Sequence, residues 1–347
     1  MAASNVKFSQ LCFAILALVV SSQVSAAESC GVNLTLMQSS FEAGEQPINA
    51  ELPPDGAPLT LAVTYPPDGI TVGAPSIQAY GTVTGPPNLG VSINEKAVAI
   101  RNASHFTTQL IPLTAGANLL SIVATTQDGA TQTIVRNVTY DPGLGEDVRF
   151  VGKTAGDFSP VRIGFDLTTR FPAGQNQIAR TQIDFNGDGT FDVDTVSPPA
   201  TIESDYAVAG VYLARARVTF DDGSMVTVPV EREATFRIQT HLLAYTREVV
   251  CKLYYDMKHR LQANNIMSAL NTVAASKRAG FQSIWNSLGA NLPTVAGELG
   301  DLVQGQLSSA SAELVMAMPK PGMPGSFIGY PVLFARDATG VWRVIAL

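Results

Sequence analysis

Charge is scarce in this chain of 347 residues: Asp, Glu, Lys and Arg together make up only 15%. The balance is acidic, with a formal charge of −7, and no basic stripe runs through it. That excludes nucleic acid as a partner class, since phosphate binding needs clustered Lys and Arg. Histidine is scarcer still. His105, His241 and His259 are the only three, and no pair stands at a metal spacing such as H-x-x-x-H. Neither a G-x-S-x-G elbow nor a paired-carboxylate pattern is present, so the sequence argues against an enzyme. Long apolar runs are missing too. The main one, Leu11–Val20, is ten residues, against the ~20 that a membrane helix requires. With 46% hydrophobic residues, the chain is nevertheless no disordered tail.

What is present begins with an export signal. Lys7 supplies a positive start, Leu11–Val20 the apolar segment, and Val24 with Ala26 the small residues of a cleavage site. Residues 1–26 are therefore read as a signal peptide; a retained N-terminal anchor is the alternative. The mature chain is expected in the periplasm or outside the cell, with no transmembrane segment. Cys12 leaves with the signal, and Cys30 and Cys251 remain. Two cysteines in an oxidising compartment form a disulfide candidate, the alternative being two separate buried thiols.

Residues 27–60 form an extended lead-in rich in Pro and Gly. From 61 to 141 the chain reads as strand after strand, each short, alternating and closed by Gly, Pro, Asn or Asp. Asn94 and Gly116 suit turns, and Phe106, Leu110, Leu113 and Leu119 are expected in the core. The Pro-Asp-Gly entry, "VSIN" at Val91–Asn94, Phe106, "PLTAGAN" at Pro112–Asn118 and Asp128-Gly129 resemble the immunoglobulin-like module found beside bacterial glucodextranase domains. That resemblance covers about eighty residues, and it implies a spacer or accessory sandwich.

"DPGLGED" (Asp141–Asp147) is a linker, and 148–239 is a second β block. Its Gly-Asp-Gly turn after a strand, Tyr206, "GVY" at Gly210–Tyr212 and "DDG" at Asp221–Gly223 are similar to a PKD domain, another extracellular sandwich. The tryptophan usual before the glycine turn is replaced by Ile183 and Phe185. From residue 240 to 347 the period changes. "LLAYTREVVCKLYYDMKHRLQ" puts Val250, Leu253, Met257 and Leu261 on one helix face. Asn265 can cap a second helix through "IMSALNTVAASKRAGFQSIWNSLG". Asn291 with Pro293 opens a third, "LPTVAGELGDLVQGQL". Three strands then close the chain, the last two joined by "DATG". The final hairpin is weakly similar to small NTF2-like domains, an arrangement in which Tyr254, Tyr255 and Trp285 would line a pocket; ordinary core packing is the alternative. The expected architecture is multidomain: two all-β immunoglobulin-like sandwiches, then a small α+β domain of three helices and a three-stranded antiparallel sheet.

One stretch carries specific chemistry. "DFNGDGTFDVD" holds Asp184, Asn186, Asp188, the Thr190 carbonyl and Asp192 at alternating positions, as a calcium loop does. Thr195 stands where a bidentate acid is usual, so Asp194, Asp221 or Asp222 would have to complete the set. A weak structural calcium site and a plain β-turn both remain open from the sequence. Cations on the first C-terminal helix make a mild basic face. The expectation is an exported bacterial binding or scaffold protein that is not catalytic, whose partner is an envelope protein or a polysaccharide. A carbohydrate-associated accessory protein is the alternative, and an enzyme with its site in the C-terminal domain a third.

Overall fold

The computed structural model describes residues 52–98, 100–102, 104–223 and 229–347, with backbone alone at 100–102. The signal segment, most of the lead-in and Cys30 lie outside the described residues. The described chain up to Val249, with Arg336–Trp342, forms one compact unit; Val250–Ala335 with Arg343–Leu347 forms the other.

The first unit holds two β-sandwiches. In the first, apolar–polar alternation cut short by turn residues gives β1 (Thr60–Tyr65), β2 (Ile70–Val72), β3 (Ser76–Ile77), β4 (Tyr80–Thr84), β5 (Leu89–Ile93) and β6 (Lys96–Ala97). It continues with β7 (Ile100–Asn102), β8 (His105–Thr107), β9 (Ile111–Pro112), β10 (Gly116–Thr126) and β11 (Thr131–Tyr140). The two sheets run in the orders β1-β4-β8-β7 and β2-β11-β10-β5-β6, and β3 pairs with β9. Phe106, Leu113, Leu120 and Ile122 sit in the core between them. Leu119, expected there, is 59% exposed. The strand period of two explains it: β10 turns Leu120, Ile122 and Ala124 inward and Leu119 outward. Leu110 also leaves this core and packs against that of the second sandwich.

The second sandwich comprises β12 (Val148–Gly152), β13 (Val161–Thr169), β14 (Gln177–Asp184), β15 (Val193–Thr195), β16 (Ile202–Tyr206), β17 (Val211–Asp221) and β18 (Val230–Gln239). A sheet β12-β13-β16 faces a sheet β15-β14-β17-β18. Phe150 stacks on Phe165 at 4.8 Å between ring centres, and Ile183 and Phe185 are buried in the same core. Tyr206 is buried and donates its hydroxyl to the Phe185 carbonyl at 2.9 Å, fixing the end of β14.

Three glutamines join the sandwiches. The Gln78 Nε2 donates to the Arg237 carbonyl at 2.9 Å, and the Arg237 amide returns a bond to Gln78 Oε1 at 2.8 Å. Gln239 accepts from the Thr107 hydroxyl and donates to the His105 carbonyl, at 3.0 and 2.9 Å. Gln109 accepts from the Ala155 amide at 2.9 Å and donates to Thr154 Oγ1 at 3.0 Å. Gln78 and Gln239 are buried, where an unmet polar group is costly, so the register between the sandwiches is specified.

The second unit follows from α1 (Leu243–Gln262), whose Val250, Leu253, Met257 and Leu261 are all buried as the period predicts. Then come α2 (Ile266–Ala269), α3 (Arg278–Leu288) and α4 (Leu292–Gly297). Asn265 caps α2 by accepting from the Ser268 amide at 3.0 Å. The expected second helix is broken, because Val273 turns extended and bridges Val344. The third ends early: Gly297 closes α4, and "DLVQGQL" is the strand β19 (Asp301–Leu307). With β20 (Ser311–Pro319), β21 (Phe327–Arg336) and β22 (Trp342–Ala346) it makes a four-stranded sheet, one strand more than expected. Backbone pairing with β20 outweighs the helical pattern, and Gly300 fits because an added Cβ would lie 1.8 Å from the Ala317 carbonyl.

Candidate functional site

The acidic loop after β14 folds as a turn capped by its own side chains. Asp184 is fully buried and accepts the amides of Gly187 at 2.7 Å and Gly189 at 2.9 Å. Both glycines have positive φ, 81° and 91°, which an L-residue rarely adopts. The Asp188 carboxylate accepts from Thr190 N–H and from the Asn186 amide group, and hydrogen bonding holds its pKa below the usual carboxylate value. Asp192 accepts from Phe185 N–H at 2.8 Å. Asp194 points elsewhere: it is paired with Arg180, whose hydrogen bonds lower its pKa. Neither Asp221 nor Asp222 can complete the loop. Asp221 pairs with Gln177 while Asp184 pairs with Arg215, a separation of roughly 20 Å along the strand. Backbone amides offset part of the charge on Asp184 and Asp188, and Arg180 that on Asp194. Among the described residues no three His, Cys, Asp or Glu side chains gather as a cluster of metal ligands.

The aromatic residues expected to line a C-terminal pocket sit among other side chains. Tyr254 is fully buried, donates to the Gly300 carbonyl at 2.5 Å, and has its pKa raised by burial. Tyr255 donates to Asp301 at 3.0 Å, and Trp285 packs against Phe281. Cys251 is 2% exposed inside α1. The basic face of α1 is largely engaged: Lys252 with Asp256, Lys258 with the Leu299 carbonyl, and Arg260 with the Ser268 carbonyl. His105 lies in β8, and His241 is 1% exposed with Phe158 edge-on to its ring at 4.4 Å.

A concave site instead opens where the two sandwiches meet. This cleft has a volume of about 390 Å³ and is lined from both sandwiches, with Tyr65 and Tyr80 on one side and Arg149, Glu146 and Arg237 on the other. The ends of β1 and β4 bring Tyr65 and Tyr80 into a stack, 5.4 Å between centroids and 17° between planes. The Arg237 guanidinium lies 4.3 Å from the Tyr80 ring centre. Strand alternation puts it there, since its neighbours Phe236 and Ile238 point into the core. Gln78 fixes the Arg237 backbone. Burial pushes the Arg237 pKa down, and its Nε is buried with no hydrogen-bond partner. Arg149 is different: it pairs with Glu146 at 3.0 Å and donates to Ser76 Oγ at 2.5 Å. Sequence reasoning missed this cleft entirely. The signal it carried was slight, a tyrosine ending one strand, another opening its partner strand, and one arginine between apolar neighbours.

No family model and no curated protein matches the sequence. Solved structures do match. The fibronectin(III)-like modules of Clostridium thermocellum CbhA align at 13% identity and a TM-score of 0.20, over 53% of this chain and 95% of theirs. Three N-terminal domains of the bacteriophage RB49 Highly Immunogenic Outer Capsid protein align at 12% identity and 0.18, over 54% and 71%. The Bacteroides ovatus mixed-linkage glucan utilization locus protein SGBP-B, in complex with a mixed-linkage heptasaccharide, aligns at 13% and 0.18, over 54% and 48%. At such scores the likeness carries no argument about this chain.

Proposed function

We propose that this chain is an exported binding or scaffold protein of the bacterial cell surface or periplasm, without catalysis, whose ligand site is the cleft between the two sandwiches. The observation that carries this reading is the Tyr65–Tyr80–Arg237 stack, held in a concave site by the bonds of Gln78 to Arg237. Aromatic faces beside one fixed cation suit the recognition of a ligand. Among the described residues no helix is long and apolar enough to cross a membrane. The sandwiches are assigned as glucodextranase-associated and PKD-like modules, and the second unit as distantly NTF2-like. Cys30 pairs with Cys251 in this reading, and calcium has no part in binding. A carbohydrate partner is the form of the reading that the cleft favours, because stacked tyrosines offer a wall against which a sugar ring can lie. Retention on a panel of immobilised polysaccharides tests it. The wild type is retained on at least one, and Tyr80→Ala runs free at an unchanged melting temperature. Equal retention of both proteins places binding outside the cleft.

A further inference from the structure

The charge of the cleft goes further than its shape. Two arginines line it, and they are not equivalent. Arg149 has its counter-ion in Glu146, 3.0 Å away. Arg237 makes no ion pair with any described acid, although 29 of the chain's residues are acidic. Its Nε is buried and makes no hydrogen bond, which costs free energy in the empty protein. Gln78 holds its main chain rigidly, and the Tyr80 ring holds its side chain in place. A guanidinium so placed is pre-organised for an anion that the protein itself does not provide.

The surroundings narrow the anion. One forked guanidinium matches one carboxylate through two parallel hydrogen bonds. A phosphate would call for a second cation, and the second arginine is already neutralised by Glu146. The volume of about 390 Å³ exceeds what a bare carboxylate needs and accommodates a sugar ring beside the tyrosines. We propose that the cleft binds a carboxylate-bearing sugar, a uronate residue of an acidic saccharide, with Arg237 on the carboxylate and the Tyr65–Tyr80 stack against the ring. This rests on the reading of the cleft as the ligand site.

The test is calorimetric titration of the mature protein with trigalacturonate, its methyl ester, acetate and inorganic phosphate. Trigalacturonate binds at least about tenfold tighter than the neutral ester, as expected for charge-assisted hydrogen bonds, while acetate and phosphate compete poorly. Arg237→Met keeps the side-chain stem and the melting temperature but loses that preference, and Arg237→Lys retains part of it. Equal affinity for acid and ester overturns the proposal. So does wild-type binding by Arg237→Met, or competition by phosphate or acetate as strong as by the trisaccharide. If uronates do not bind while a neutral polysaccharide still retains the protein through Tyr80, this inference falls and the cleft stands as the ligand site. If nothing tested binds through the cleft, both fall.

Discussion

A single side-chain type repeats one structural task across the first unit. A carboxamide carries the same donor and acceptor as a peptide group, so Asn or Gln can pair with a strand as another strand would. Gln78 does this with Arg237, Asn88 with Trp342 at 3.0 Å in both directions, and Asn118 with Thr114 at 2.8 and 2.9 Å. Asn94 accepts from the Ser121 amide and donates to the Leu119 carbonyl. None of this was legible beforehand. The sequence marks Asn94 as a turn residue, but the partner of a carboxamide is set by tertiary contact. The consequence is measurable. Gln78→Leu leaves the amide and carbonyl of Arg237 unmet, and destabilises the protein by about 1–3 kcal/mol in urea unfolding. An unchanged midpoint would show that solvent replaces Gln78 without loss.

At the scale of elements, period and punctuation were good guides to strands and poor guides to where helices stop. The strands between 60 and 140 follow their alternation, and the buried stripe of α1 follows its 3.6-residue period. Leu119 was misplaced because "NLLSIV" puts two leucines side by side, and only the sheet decides which one faces in. "DLVQGQL" satisfies a helix period as well as a strand period, and its pairing with β20 decides the outcome. The loop of Asp184 was legible as a constellation and not as a geometry: its carboxylates cap backbone amides of the loop. Melting curves in EDTA and in millimolar calcium are expected to coincide. Asp184→Asn loses part of the capping and costs about 1–3 kcal/mol in either buffer. A calcium-dependent rise in midpoint, absent from Asp188→Asn, would instead make the loop an ion site.

For the molecule as a whole, the site arises only when distant segments meet. Tyr65 and Tyr80 come from the first sandwich and Arg237 from the last strand of the second, so no local motif could announce them. Composition, by contrast, is local information: low charge, three histidines and an N-terminal signal pattern are what the proposal of an exported binding protein starts from. The proposed Cys30–Cys251 link predicts one cross-linked peptide in a non-reducing digest of the exported protein. It also predicts a lower melting temperature after reduction, with a loss of stability bounded at roughly 5 kcal/mol for so long a loop. Two alkylated free thiols would exclude it. The central claim, that ligand binds between the sandwiches, is tested most directly by hydrogen exchange with and without a retained saccharide. Protection should appear together in peptides spanning Tyr65–Tyr80 and Val230–Gln239; protection confined to peptides after Val250 would contradict it.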